Sequence, residues 1–273
     1  MPNPTLKPFS EIIQTIDWDR VTAEINAIEE GQPAMPDYER QDVRKLVLNA
    51  AERWLPQDLE EWQLDAVEER FVHPSLRGIL DLRGRHNGKY KVFEPFAGKK
   101  FICDWKTTRG KLDADWAERY QYSWQWKLYT IPHPDTAVFS YRGISRDGST
   151  REILIEVPPT SPQEALLYLE QLQAMRKALG DNVPWPRKMP GSCHAYGRDC
   201  EFLDHCQNNR THTGLIDISK PLSYSSAETF LLCPEKHRLM QLAAGNADDD
   251  ETLAFGKAFH RGIAEVYTQA FKL

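Results

Sequence analysis

The sequence predicts an α/β (or α+β) fold: a central mixed β-sheet flanked by helices, with a cysteine-rich cluster subdomain. Three observations carry it. Short apolar segments at 62–72, 77–84, 89–95 and 100–106 are separated by turn signals such as Asn87-Gly88 and Gly98, the pattern of a strand meander. Stretches of helical period lie before, between and after these segments. Three cysteines then fall between residues 193 and 206, in a stretch containing Gly, Pro and His.

In chain order, prolines 2, 4, 8, 33 and 36 limit the first 36 residues to a short helix from about Glu11 to Glu29. A second helix is expected from Tyr38 to Leu55. The strands follow, with a hairpin at Asn87-Gly88 between GILDLRGR and KYKVFEP. Helical period returns over 112–131, where Trp116, Tyr120, Trp124 and Leu128 form one stripe and Gln121, Gln125 and Tyr129 a neighbouring one. Strands at 136–142 and 151–157 precede a helix from Ser161 to Leu179, and NVPWPRKMPGS reads as a rigid loop leading to the cysteines. From about 223 the chain is helical again, with Ser225 and Glu228 as a capping box. After Asp248-Asp249-Asp250, residues Phe255, Phe259, Ile263, Tyr267 and Phe271 step four apart along one face. The segments divide as 1–60, 61–210 and 220–273.

Composition narrows the function. With 41% hydrophobic and 27% charged residues the chain reads as globular. It has no apolar run of membrane-spanning length and no secretory signal, so a cytoplasmic location without membrane contact is expected. Five cysteines, an odd number, argue against a disulfide framework. The net charge of −6 gives no overall basic footprint for nucleic acid, but a nuclease needs only one locally positive groove. The phosphate-binding signature G-x-x-x-x-G-K-[ST] is missing, so unwinding of a duplex would need a helicase or recombination partner.

GILDLRG at 78–84 and FICDWKTT at 101–108 each set a carboxylate, Asp81 or Asp104, in an apolar strand. A buried carboxylate requires a partner. One sufficient partner is a hard divalent cation shared by both. Residues two apart on a strand face the same way, so Lys106 projects beside Asp104, where an ammonium can stabilise phosphate charge or assist an attacking water. The plainer alternative is a salt-bridged pair on an edge strand. Cys103 should face the opposite side and join the core.

The cysteines in CHAYGRDCEFLDHC, Cys193, Cys200 and Cys206, are spaced C-x6-C-x5-C. Clustered thiolates suit Zn²⁺ or an iron–sulfur centre. A Cys3His zinc site with His194 or His205 is one alternative. Cys233 alone reads as a buried thiol, and His260 lies about 100° from the Phe255–Phe271 stripe on a helical projection.

Four elements in order, VEERF, GILD, DWKTT and QWKLY, make the region from about Val67 to Cys206 resemble the PD-(D/E)xK nuclease superfamily. The likeness is to the RecB-type branch, which includes the AddB nuclease domain and CRISPR-associated iron–sulfur exonucleases. The resemblance implies a restriction-endonuclease-like core and hydrolysis of DNA by a metal-activated water. Asp81 and Asp104 would hold Mg²⁺ or Mn²⁺ together with the Trp105 backbone carbonyl. Lys106 would be catalytic, Gln125 and Tyr129 would support the site, and Glu69 is a weaker candidate. CEFLDHC resembles the end of the family's C-x2-C-x5-C motif, with the interval after Cys193 four residues longer. The family's remaining motifs resemble SYSSAETFLLCPEKH at 223–237 and GKAFHRG at 256–262, at the opposite end of the chain from their usual place. A circular permutation would let Cys233 complete a 4Fe–4S cluster and His260 join the catalytic metal; a partial second copy is the alternative. The expected activity is an exonuclease on single- or double-stranded DNA with free ends, alone or as an oligomer. The competing readings are a non-catalytic DNA-binding or assembly module and a zinc-stabilised interaction protein.

Overall fold

The computed structural model describes residues 8–27, 35–180, 220–243 and 251–272, with Trp185, Cys193, Asp199, Cys200, Phe202, Leu203, Cys206, Ile216 and Asp217. By contact the chain forms two compact units. One comprises Met1–Phe71, Ile79–Pro162 and Asp249–Leu273; the other comprises Val72–Gly78 and Gln163–Asp248.

The first unit is built on a five-stranded mixed sheet flanked by helices. Its strands are β1 (Trp62–His73), β2 (Leu76–His86), β3 (Lys100–Thr108), β4 (Thr136–Ser145) and β5 (Thr150–Glu156), adjacent in that order. β2 pairs antiparallel with β3, from Leu82↔Cys103 to Arg85↔Lys100. Gly84 lets β1 come close: a Cβ there would lie 2.3 Å from the Gln63 carbonyl oxygen. β3 and β4 run parallel, with Asp104 opposite Tyr141. A parallel step needs a crossover, and the crossover contains two helices.

Three N-terminal helices precede the sheet: α1 (Phe9–Ile12), α2 (Trp18–Asn26) and α3 (Asp37–Glu61). The crossover helices are α4 (Ala114–Gln121) and α5 (Trp124–Tyr129). After β5 come α6 (Ser161–Leu179), α7 (Tyr224–Leu232), α8 (Pro234–Ala243) and α9 (Glu251–Phe271). α9 packs on α2, α3 and β3. Phe255, Phe259, Ile263 and Tyr267, its apolar face, are buried among Trp54, Phe101, Cys103 and Trp105, so Cys103 is a core thiol as expected. Truncating one such aromatic to alanine costs about 3–5 kcal/mol. That packing holds the C-terminal helix against the sheet.

A polar network runs through the same core. Arg142 on β4 is 1% exposed and gives both terminal guanidinium nitrogens to Asp58 on α3. Its Nε donates to Glu152 at 2.8 Å, and the Tyr267 hydroxyl donates to Asp58. The guanidinium lies 4.2 Å from the Trp62 ring centroid.

In the second unit the Trp185 N–H donates to Glu235 Oε2 at 2.9 Å, and Arg238 pairs with the same carboxylate. His237 is stacked on Trp185 and meets Phe230 edge-on.

Several local expectations are corrected. The helix expected over 11–29 is broken at Asp17, whose carboxylate caps α2 by accepting the N–H groups of Asp19 and Arg20. α3 runs past Leu55 and Pro56 to Glu61, where the buried acids Asp58 and Glu61 have partners in the fold. Residues 89–95 are turns and a short 3-10 helix rather than a strand. The N–H groups of Gly88, Lys89 and Tyr90 go to the Glu61 carboxylate, which replaces hairpin pairing at Asn87-Gly88. The helix expected over 112–131 divides at Tyr122, and Ser123 caps α5. The cap of α7 is Ser223, accepting from Ser226 N–H, rather than Ser225. Asp248-Asp249-Asp250 and most of NVPWPRKMPGS lie outside the described residues.

Candidate metal centre

The ladder between β2 and β3 stops at Leu82↔Cys103. Beyond it the Trp105 N–H, which has no rung to join, donates to Asp81 Oδ2 at 2.6 Å. Asp81 is therefore held by the backbone of the next strand. Asp104 and Lys106 share a face of β3, as the two-residue period requires, and Lys106 Nζ lies 2.6 Å from Asp104 Oδ2. Gln125 Nε2 donates to the other oxygen, Oδ1, at 2.9 Å. Ser123 starts α5 by accepting the Gln125 N–H, which fixes the direction in which Gln125 leaves the helix. Tyr129, one turn later, is bonded to Gln125 and packs edge-on against Phe71. The Lys106 ammonium is 5.8 Å from the ring centroids of both Tyr120 and Tyr141.

α9 and β1 complete the site. His260 Nδ1 lies 3.2 Å from Asp81 Oδ1. Ligand atoms of Glu68, Asp81 and His260 all lie within 4.8 Å of one another, the one such grouping of three or more among the described residues. Glu68 occupies a left-handed backbone conformation at φ +50°, which a residue with a Cβ adopts at a cost of order 1–3 kcal/mol. Its neighbour Glu69 is turned elsewhere, taking Arg83 Nε at 2.6 Å with His133 beyond.

The electrostatics follow from three acids, Glu68, Asp81 and Asp104, set close to the His260 imidazole and the Lys106 ammonium. Burial and the charge of Asp81 push the Glu68 carboxyl up to about 7. Burial also raises Asp104, to about 6, against the opposing effect of Lys106. For Asp81 burial acts upward too, but the His260 charge and hydrogen bond and the Trp105 N–H hold it below the usual carboxylate value. Burial works against protonated His260, yet Asp81 raises it to about 9. The Asp104 charge outweighs the burial of Lys106 and keeps the ammonium protonated.

The Glu68 carboxylate forms no hydrogen bond or ion pair with a described residue. Two carboxylates and an imidazole nitrogen, one carboxylate without a hydrogen bond and pushed toward protonation by burial and by the other, fit a divalent cation that accepts oxygen donors. Of the sequence-predicted ligands, Asp81 and His260 belong to this grouping. Asp104 stands beside it, engaged by Lys106 and Gln125. Glu68 was missed, and Glu69 is corrected to a partner of Arg83. Nothing local to VEERF announces the switch, since neither Gly nor Asn marks the positive φ.

Four of the predicted cysteines lie in the second unit. The Cys200 N–H donates to the Cys193 carbonyl at 2.7 Å, and the Cys206 N–H to the Phe202 carbonyl at 2.9 Å. Cys233 joins α7 to α8, with its sulfur accepting the Lys236 N–H at 3.5 Å. Burial raises the Cys193 thiol, and Cys200 and Cys233 both act on its charge. Cys233 is therefore close enough to act on Cys193, forty positions earlier in sequence. No three cysteine sulfurs among the described residues meet the 4.8 Å spacing of a single-ion site. His194 and His205 lie outside the described residues. No described helix is long and apolar enough to cross a membrane. No family model and no curated protein matches the chain.

Proposed function

We propose that the first unit is a metal-dependent DNA nuclease of the PD-(D/E)xK type, with a restriction-endonuclease-like core and RecB-like affinities. The convergence of Glu68, Asp81 and His260 within 4.8 Å, beside Asp104, Lys106 and Gln125, carries the reading. Glu68, Asp81 and His260 would hold Mg²⁺ or Mn²⁺, with Asp104 and the Trp105 carbonyl at its margin. The cation would supply Lewis acidity toward the scissile phosphate and the attacking water. Lys106, held protonated by Asp104, stabilises negative charge developing on the phosphate. Gln125, with Tyr129 behind it, keeps Asp104 oriented toward Lys106. The reach of α9 back to Asp81 supports a permuted arrangement in which the chain's last segment completes the site.

For the cysteines we propose a 4Fe–4S cluster held by Cys193, Cys200, Cys206 and Cys233. The action of Cys233 and Cys200 on Cys193 supports it. A cluster of several atoms also spreads its thiolates further apart than a single ion does.

The test is degradation of end-labelled linear single- and double-stranded DNA with Mg²⁺ or Mn²⁺, using anaerobically purified wild type and Lys106→Ala. Cleavage by wild type alone is expected, and product lengths separate exonuclease from endonuclease. Equal cleavage by both proteins, or cleavage by neither, overturns the assignment; cleavage by neither with retained DNA binding favours the non-catalytic module.

A further inference from the structure

Between Arg85 and Lys100, the connection from β2 to β3 carries five basic residues, Arg85, Lys89, Lys91, Lys99 and Lys100, against one acid, Glu94. The chain as a whole is acidic, with 34 Lys and Arg against 40 Asp and Glu, so this segment reverses the sign of its surroundings. Arg85, Lys89, Lys91 and Lys99 are exposed. Lys100 pairs with Asp135. Lys89, Lys91 and Lys99 form no ion pair with a described residue.

The segment is pinned rather than left to solvent. Glu61, with no exposed surface, accepts the N–H groups of Gly88, Lys89 and Tyr90 at 2.9, 2.9 and 3.1 Å. His86 also contacts Glu61 and stacks on Phe93, with ring centroids 4.6 Å apart. The Gly98 N–H closes the loop on the His86 carbonyl at 2.7 Å. Burying a carboxylate is costly, and here that carboxylate orders a loop whose outer surface is cationic. A backbone ordered before binding loses less freedom when its side chains meet a ligand.

We propose that this connection is a docking surface for the phosphate backbone of duplex DNA, separate from the cleavage centre. Duplex DNA presents a regular row of phosphates whose counterions are released when lysines replace them. Arg85 and Asp81 are four residues apart on β2, about 14 Å along a strand. That is roughly four base pairs at 3.4 Å each, a separation within the span of a short duplex held here. The neighbouring acids are Glu94, Glu60 and Asp135; Asp135 pairs with Lys100 and also acts on Arg85, which leaves Lys89, Lys91 and Lys99 as the centre of the surface. The choice of DNA as partner rests on the nuclease reading; the charge and the pinning do not.

The test is fluorescence anisotropy of a labelled blunt duplex with the full chain in chelator, where metal-dependent cleavage plays no part. Wild type, Lys89→Glu/Lys91→Glu/Lys99→Glu and the matching triple Lys→Arg variant are titrated across a salt series. Wild type is expected to bind, and the Lys→Arg variant to match it. The slope of log K against log salt should fall by about 3 in the Glu variant, near 0.9 for each lost contact. A wild type that does not bind, an unchanged slope, or a Glu variant that loses anionic-vesicle binding but keeps duplex binding overturns the proposal. The two readings fail separately: an unchanged slope with Lys106-dependent cleavage removes the docking surface alone. A reduced slope with no cleavage by wild type removes the nuclease alone.

Discussion

The Trp105 backbone N–H donates to Asp81 Oδ2 at 2.6 Å, just past the last rung between β2 and β3. With His260 Nδ1 3.2 Å from the other oxygen, Asp81 is oriented from two directions and held ionised despite burial. The centre therefore depends on where a ladder ends and on a helix from the far end of the chain.

Glu68 and Glu69 are adjacent but should differ in function. Glu68→Gln removes a carboxylate of the metal grouping and should lower Mg²⁺-dependent cleavage by about 10- to 100-fold. Glu69→Gln touches only the Arg83 and His133 contacts and should leave the rate near that of wild type. Steady-state rates of the two variants at saturating Mg²⁺ check this. Equal losses would place Glu68 outside the site.

The buried network beneath the sheet should dominate stability. Asp58→Ala leaves the Arg142 guanidinium in the core without its main counter-charge and should cost roughly 3–5 kcal/mol. Tyr267→Phe removes one hydroxyl from the same carboxylate and should cost about 1–2 kcal/mol. Urea unfolding of both variants gives the ordering.

Acid should destabilise the second unit through His237, which is 1% exposed between Trp185 and Phe230. Burial and the Arg176 charge lower it from 6.5 to about 4. The unfolded chain takes up a proton below pH 6.5 that the folded form refuses until about pH 4. Stability is therefore full above pH 6.5, falls between 6.5 and 4, and levels off below, by about 3 kcal/mol in all. His237→Phe should flatten that part of the pH–stability curve; an unchanged curve would show that His237 does not set it.

The strand placement of Asp81, Asp104 and Lys106 and the helical placement of Gln125 were legible in the sequence because local rules govern them. A carboxylate inside an apolar strand needs partners, i and i+2 share a face, and Gln125 follows in the next helix. The mixed sheet and the Phe255–Tyr267 face were legible for the same reason, through periodicity. Residues 89–95 were misread because their amides turn toward Glu61, nearly thirty positions earlier, and such long-range capture leaves no local trace. Glu68 was not singled out because a positive φ at a residue with a Cβ is imposed by tertiary packing. His260 and Cys233 entered only through motif resemblance, since neither their spacing nor their burial pattern is distinctive.

The most direct measurement is Mn²⁺ binding by isothermal titration calorimetry to wild type and Asp81→Asn. The account predicts one ion at the first-unit site in wild type and binding at least about 100-fold weaker in the variant. Equal binding by the two proteins, or none by wild type, would contradict it.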